Sequence, residues 1–258
     1  MVSLYKRLLI VYFFVAVLCM IGGGIFLNHF RNTSGLVVYL ITMIAILYVT
    51  ISILSGIAKK RFKNEVLSLF DNCCANAYIE EVKRLLSKKR SRRFVSMYAC
   101  LLSVGYDVLG DYRLLYESCL KIKDKSYMPY YHRRMFTYFL SIKDLTKAKE
   151  EIEELNALAA FSKNKAELEV INCFLNDCNN ALKFHLGNLD GVEEYYTQML
   201  NKGDIPLISR VSYAYALSEV LIAKNRKEEA KDHLIFASSR GGDTKYKTSA
   251  DKLLEMWS

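Results

Sequence analysis

The stretch "VLGDYRLLYESCL" (108–120) places a Gly-Asp turn between two apolar segments whose residues recur at helical spacing. A similar phrase, "HLGNLDGVEEYYTQML", occupies residues 185–200, and a looser one, "AKNRKEEAKDHLIFA", occupies residues 223–237. Apolar residues at steps of three and four predict amphipathic helices. Glycine and asparagine are the residues at which a helix most easily ends in a left-handed turn. The repeated phrase therefore predicts a domain built from helical hairpins.

Turn dipeptides of this kind recur along the chain at a roughly constant interval. They begin at Asn76, Gly110, Lys143, Gly187 and Asn225, so their spacings are about 34, 33, 44 and 38 residues. A helix pair that recurs near 34 residues is typical of a helical solenoid, in which stacked pairs bury each other's apolar faces. No strand-like alternation follows residue 60. The sequence predicts an all-α fold in which residues 61–258 form about five helix pairs and residues 244–257 form a capping helix.

The predicted helix pair at residues 211–240 resembles the tetratricopeptide repeat family more closely than the other pairs do. Its small residues fall at Ser218, Ala230 and Ala237, and Asn225 replaces the glycine of the family's turn. The Gly110-Asp111-Tyr112 turn is a second match, whereas the tryptophan of the family is absent from the repeats. An irregular helical bundle is the alternative interpretation of the same pattern.

The resemblance implies that first helices of each pair line a concave groove that holds a protein or peptide partner. Matching the spacing of the family predicts which residues face this groove. They are Tyr130, Arg133, Thr137, Asp177, Ala181, Tyr215 and Glu219. The alternative is that these are ordinary, half-exposed helix residues.

Two uncharged runs precede the predicted solenoid. Residues 8–27 and residues 35–57 each contain enough apolar residues to cross a bilayer as a helix, and only "NHFRNTS" (28–34) separates them. Residues 1–60 are therefore predicted to form a transmembrane hairpin. A cleaved signal peptide is the alternative for residues 1–27.

The flanking charges predict the orientation of this hairpin. Lys6 and Arg7 precede the first run and a cluster of lysine and arginine follows the second, whereas the short link contains only Arg31. Because positive flanks stay in the cytoplasm, we expect a multi-pass protein of the cell membrane with both termini cytoplasmic.

Basic residues near the membrane continue into the run "KRLLSKKRSRR" (83–93). Such a run can contact anionic lipid headgroups. The candidate residues are Lys59, Lys60, Arg61, Lys63, Lys83, Arg84, Lys88, Lys89, Arg90, Arg92 and Arg93. The alternatives are a solvated helix end and, less favoured because no RNA-binding motif is present, a nucleic-acid surface.

No motif of a nucleotide-binding or hydrolytic site is present, and the cysteines and histidines lack the spacing of a zinc site. We therefore predict no catalytic residue, no metal and no cofactor. The predicted function is a non-enzymatic, membrane-anchored scaffold for protein binding. An accessory subunit of a membrane transport or secretion complex is the alternative. A membrane enzyme would require His132, His185 and Asp177 to cluster in one pocket.

Overall fold

The computed structural model describes residue 22, residues 33–87 and residues 92–257. Every regular element in these ranges is helical, which confirms the predicted all-α class for the described part of the chain. The α-helices are α1 (Thr33–Phe62), α2 (Ser68–Asp71), α3 (Ala75–Leu86), α4 (Arg92–Leu109), α5 (Tyr112–Cys119), α6 (Met128–Ser141), α7 (Leu145–Phe161), α8 (Lys165–His185), α9 (Val192–Asn201), α10 (Leu207–Ala223), α11 (Lys227–Arg240) and α12 (Lys245–Glu255).

The chain divides into two compact units, residues 1–65 and residues 66–258. In the described residues one helical segment, Ile41–Asp71, is long and apolar enough to cross a membrane, with a mean hydropathy of 2.2. Apolar side chains of α1, among them Ile44 and Tyr48, are exposed. The predicted second span, residues 35–57, lies within α1, whereas the predicted first span lies outside the described residues apart from Gly22.

Four helices of the second unit end at turns that the sequence predicted. Gly110, Lys143, Gly187 and Asn225 all have a positive φ and follow the ends of α4, α6, α8 and α10. The next helix then begins with a side-chain cap in two cases. The Asp111 carboxylate accepts from the backbone N–H of Leu114 at 2.9 Å, and the Asp144 carboxylate accepts from that of Lys147 at 3.1 Å.

The turn predicted at Asn76-Ala77 is wrong. Both residues lie in the first turn of α3, and the chain reverses earlier, at Cys73, whose φ is +62°. The Cys73 side chain is only 1% exposed, so a tightly packed cysteine occupies the position where the pattern of the other turns predicts glycine or asparagine.

Successive helices of the second unit pack against one another from α3 to α12. One apolar cluster joins α6, α7 and α8 through Phe136, Leu155 and Ile171, all of them buried. Where α4 meets α3, the position of a Gly105 Cβ lies 2.6 Å from Ile79 Cγ1, so glycine permits the close approach of these two helices.

The last helices of the second unit also contact its first helices. Helix α12 contacts α4, and α10 contacts α2. A buried cluster accordingly combines Cys73 and Val108 from the start of the unit with Val211, Leu234 and Ala250 from its end. The helix predicted near residues 244–257 is therefore present as α12, and it packs against α4 as well as against α11.

The loop between α11 and α12 makes the polar contacts of this closure. The Asp243 carboxylate accepts from the backbone N–H of Ala75 at 2.6 Å and from that of Asn76 at 2.8 Å, so it caps the N-terminus of α3. The Asp243 N–H donates to the Cys73 carbonyl at 3.2 Å. Gly242, with φ +57°, lies directly against that carbonyl, and a Cβ there would overlap its oxygen.

We expect Gly242→Ala to destabilise the second unit by about 3 kcal/mol, because it adds a left-handed backbone penalty to an overpacked contact. Gly187→Ala is the matched control, since Gly187 has φ +76° and open space around it. It should cost only the backbone penalty of about 1 kcal/mol. Denaturation of the full chain in detergent, followed by circular dichroism, measures both. Equal losses would show that the Gly242–Cys73 contact does not hold the array closed.

Candidate ligand cavity

A cavity of about 530 Å³ opens inside the second unit. Side chains of α4, α6, α8, α10 and α12 line it, so the closure by α12 completes its wall. This volume lies in the range typical of sites for small ligands.

Most of the residues predicted to face a groove meet at this cavity. Lining residues from the prediction are Arg133, Thr137, Asp177, Ala181, Tyr215 and Glu219. Tyr130 is not among the lining residues. Its ring packs edge-on against Phe174, with centroids 5.3 Å apart, and beside the buried Ala99 and Cys100. Tyr130 therefore lies in the apolar contact between the start of α6 and α8 and not on the cavity wall.

A buried carboxylate organises one side of the cavity. Asp107 of α4 is 5% exposed and forms salt bridges with Arg134 of α6 and Lys245 of α12, whose Nζ lies 2.7 Å from Asp107 Oδ1. The Lys245 ammonium group also lies 5.1 Å from the centroid of the Tyr112 ring. Two cations thus converge on one anion, which leaves this group of three with one net positive charge.

The pKa values of this group follow from burial and from the neighbouring charges. Burial raises the pKa of Asp107, but the positive charges of Lys245, Arg134 and Arg133 lower it more, so the pKa lies well below the usual range. Burial lowers the pKa of Lys245, and the Asp107 charge raises it well above its usual value. Both residues are consequently ionised at neutral pH.

Arg133 also lines the cavity, and its position is fixed without an ion pair. One of its N–H groups donates to Thr137 Oγ1 at 2.6 Å, and its guanidinium carbon lies 5.8 Å from the centroid of the Phe136 ring. No salt bridge among the described residues joins Arg133 to an acid. An arginine side chain carries five donors, so several remain for another partner.

The cavity is also lined by two further acids and by several tyrosines. Asp177 of α8 accepts hydrogen bonds from Tyr195 at 2.5 Å and from Tyr213 at 3.3 Å. Glu219 of α10 accepts from Tyr215 at 3.1 Å, and burial raises the pKa of this carboxyl above its usual value. No salt bridge in the described ranges joins Glu219 to a base.

The sequence pattern missed many charged or aromatic groups of the cavity, among them Asp107, Lys245 and Tyr246. Asp107 is the single acid of the apolar segment "LLSVGYDVL" (101–109), which is a signal that a buried ion pair could be present. Lys245 and Tyr246 carry no such signal, because only the closure of the array brings α12 to the cavity.

The three residues that would support an enzyme do not meet in one site. Asp177 and His185 line the cavity, and His185 Nδ1 donates to the Ala181 carbonyl at 2.9 Å. His132 is not a lining residue and instead lies 2.7 Å from Glu151. The described residues contain no group of three His, Cys, Asp or Glu side chains that could hold a metal ion.

Several residues predicted to contact lipid are exposed on the second unit. Lys83 and Arg84 lie in the last turn of α3 and Arg92 and Arg93 in the first turn of α4, with Phe94 next to them at 48% exposure. In the first unit Lys60, Arg61 and Lys63 are exposed. Lys88, Lys89 and Arg90, and the side chain of Lys59, lie outside the described residues.

Comparison of the chain with protein-family models, curated proteins and solved structures gave no match. The cavity and its charges are therefore the basis on which a function can be argued.

We expect Asp107→Asn to destabilise the protein by about 3–5 kcal/mol at pH 7, because it leaves Arg134 and Lys245 buried without their anion. The pKa of Asp107 is lowered by folding, so its stabilising contribution is present above the unfolded pKa of about 4 and is lost as the pH falls through the folded pKa. The difference between wild type and variant should thus hold from pH 5 to 7 and shrink below about pH 4.

Urea denaturation of the full chain in detergent measures this difference. Glu117→Gln is the control, because the Glu117–Arg113 pair is exposed and should change stability by less than about 1 kcal/mol. A loss for Asp107→Asn no larger than that of the control would contradict the role given to the buried carboxylate.

Proposed function

We propose that the protein is a non-enzymatic binding module, tethered to a membrane, whose cavity receives part of a binding partner. The observation that carries the proposal is the convergence of Arg133, Asp177 and Glu219 on one cavity from three different helix pairs. Charged and aromatic side chains that meet in a concave site are typical of binding sites. His132 does not line the cavity, so it does not join His185 and Asp177 in one pocket.

We also propose that the helix pairs of the second unit are related to tetratricopeptide repeats. The small residues that carry the resemblance, Ser218, Ala230 and Ala237, are fully buried where α10 and α11 pack. Small side chains at these positions let neighbouring helices approach closely, as the family requires. The closure by α12 would then distinguish this array from an open solenoid.

The membrane tether is proposed as a hairpin of two spans with both termini in the cytoplasm. The exposed apolar side chains of α1 support a span at residues 35–57, because such a surface is stable in lipid and costly in water. The exposed Lys60, Arg61 and Lys63 follow this span, which favours a cytoplasmic second unit. Anionic headgroups are proposed to bind these bases and the bases at the α3–α4 junction, beside Phe94.

A subunit of a larger membrane complex is the second candidate. Ser52 and Gly56 are exposed on α1, and the space next to Gly56 is open, so another helix could pack closely there. In that case the span would carry specific contacts, and its replacement by an unrelated hairpin would abolish assembly. A simple tether would tolerate the same replacement.

Partner recovery tests the binding function. We expect Arg133→Ala to reduce recovery of a specific partner at least tenfold when the tagged full chain is purified from native membranes and analysed by mass spectrometry, because a charge-assisted hydrogen bond contributes about 1.5–3 kcal/mol. Arg113→Ala removes the same side chain from the exposed outer face of α5 and should leave recovery unchanged. Equal recovery with both variants would place the partner elsewhere on the protein.

Thiol labelling in intact cells tests the topology. Cys74 and Cys173 are exposed on the second unit, so a membrane-impermeant maleimide should label them only after permeabilisation. The variant Asn32→Cys places a thiol in the short link and should be labelled in intact cells. Labelling of Cys74 and Cys173 without permeabilisation would contradict the proposed orientation.

A further inference from the structure

Some of the charges that line the cavity form ion pairs and others do not. Asp107 forms ion pairs with Arg134 and Lys245, whereas Asp177 forms none and accepts hydrogen bonds from two tyrosine hydroxyls. Burial lowers the pKa of Arg133, but neighbouring groups that include Asp177 and Asp107 raise it. Arg133 and Glu219 are each held by a hydrogen bond to a neutral side chain. Neither forms a salt bridge in the described part of the chain, so they do not neutralise each other although they line the same cavity.

Arg133 offers an oriented site for an oxyanion. Thr137 and the Phe136 ring fix the position of its guanidinium group, and the donors that this contact does not use have no carboxylate partner. Guanidinium groups bind carboxylates through two parallel hydrogen bonds, and a group held in place loses little entropy on binding. The net positive charge of the adjacent Asp107–Arg134–Lys245 group strengthens the preference for an anion at this end.

Glu219 offers a site for an ammonium group. Its carboxylate accepts one hydrogen bond, from Tyr215, and retains further acceptor positions. The rings of Tyr215 and Tyr246 lie 5.9 Å apart and those of Tyr196 and Tyr213 lie 6.2 Å apart, and all four line the cavity. Aromatic faces beside a carboxylate are a favourable environment for a cation.

A ligand with a single charge would leave one of these two groups without a countercharge in the cavity, which is costly where the group is buried. A polyanion such as nucleic acid would meet Asp177 and Glu219 with unfavourable charge. An apolar ligand would leave both Arg133 and Glu219 without partners. Only a ligand with opposite charges at its two ends pairs with both.

We propose that the cavity binds a zwitterionic ligand, an amino acid or a short peptide, whose carboxylate pairs with Arg133 and whose ammonium group pairs with Glu219. This inference rests on the proposed binding function and assigns a ligand chemistry to the same cavity. The tyrosine rings that line the cavity favour an aromatic side chain in the ligand.

Calorimetric titration of the full chain in lipid nanodiscs tests the proposal with two zwitterionic probes, phenylalanine and the tripeptide Ala-Phe-Ala. Two derivatives of the tripeptide each lack one charge: the N-acetyl form has no ammonium group and the C-terminal amide has no carboxylate. We expect at least one zwitterion to bind, and each capped form to bind at least tenfold more weakly than the free tripeptide if the tripeptide is the ligand. If phenylalanine alone binds, N-acetylphenylalanine and phenylalanine amide replace the capped tripeptides.

Two variants assign each end of the ligand to its residue. In Arg133→Gln the amide and the free carboxylate should bind equally, and in Glu219→Gln the N-acetyl form and the free amine should bind equally. Arg113→Gln and Glu117→Gln, which alter an exposed ion pair on α5, are the matched controls and should retain wild-type discrimination. The capped probes act on the wild-type protein, so the test holds even if a cavity variant is unstable.

Two results would overturn the proposal: neither zwitterion binds at millimolar concentration, or a capped form binds as tightly as its free parent. The membrane co-purification tests the binding function separately from the ligand class. Recovery of a partner that depends on Arg133, together with no binding of either zwitterion, would retain the binding function and reject the ligand class. Binding of a zwitterion without such a partner would support a small-molecule site alone.

Discussion

The contact between Asp243 and the first turn of α3 is the constraint on which the second unit depends. Its carboxylate satisfies two backbone N–H groups of a helix that lies 168 and 167 residues earlier in the chain. Gly242 permits this contact because its lack of a Cβ leaves room for the Cys73 carbonyl. Once the loop is seated, α12 lies against α4 and Lys245 reaches Asp107. The apolar cluster that contains Cys73 and Ala250, the ion pair between Lys245 and Asp107 and the wall that α12 gives to the cavity all depend on this contact.

The interior that results is polar as well as closed. A buried ion pair is weak evidence for stability, because desolvation of the charges offsets their attraction. The ion pairs of Asp107 instead position Arg134 and Lys245 and fix how α4, α6 and α12 pack together. The neighbouring Arg133 and Glu219 are not compensated in this way, and a protein retains such groups at a cost to stability when they serve to bind something else.

The sequence predicted those features that depend on local chemistry. Gly110-Asp111 and Lys143-Asp144 combine a left-handed residue with a capping carboxylate, so the turn and the next helix could be located from a few residues. The faces of α6, α8 and α10 followed from helical period, which is why Arg133, Asp177 and Glu219 could be grouped from the sequence. Tyr130, near the start of α6, packs against Phe174 and does not line the cavity. The turn at Cys73 and the role of Lys245 could not be predicted, because both depend on contacts between the two ends of the unit and carry no local signal.

The long separation of the closing contact determines when the site comes into existence. During synthesis the N-terminal helix pairs leave the ribosome first and can pack with their neighbours, since those contacts are local. Asp243 and Lys245 leave after the helices that they contact, and the loop that they close spans most of the unit. The cavity therefore has no complete wall until α12 has been made. A chain that stops short of residue 243 would contain most of the helices of the second unit but would lack the wall that α12 gives to the cavity.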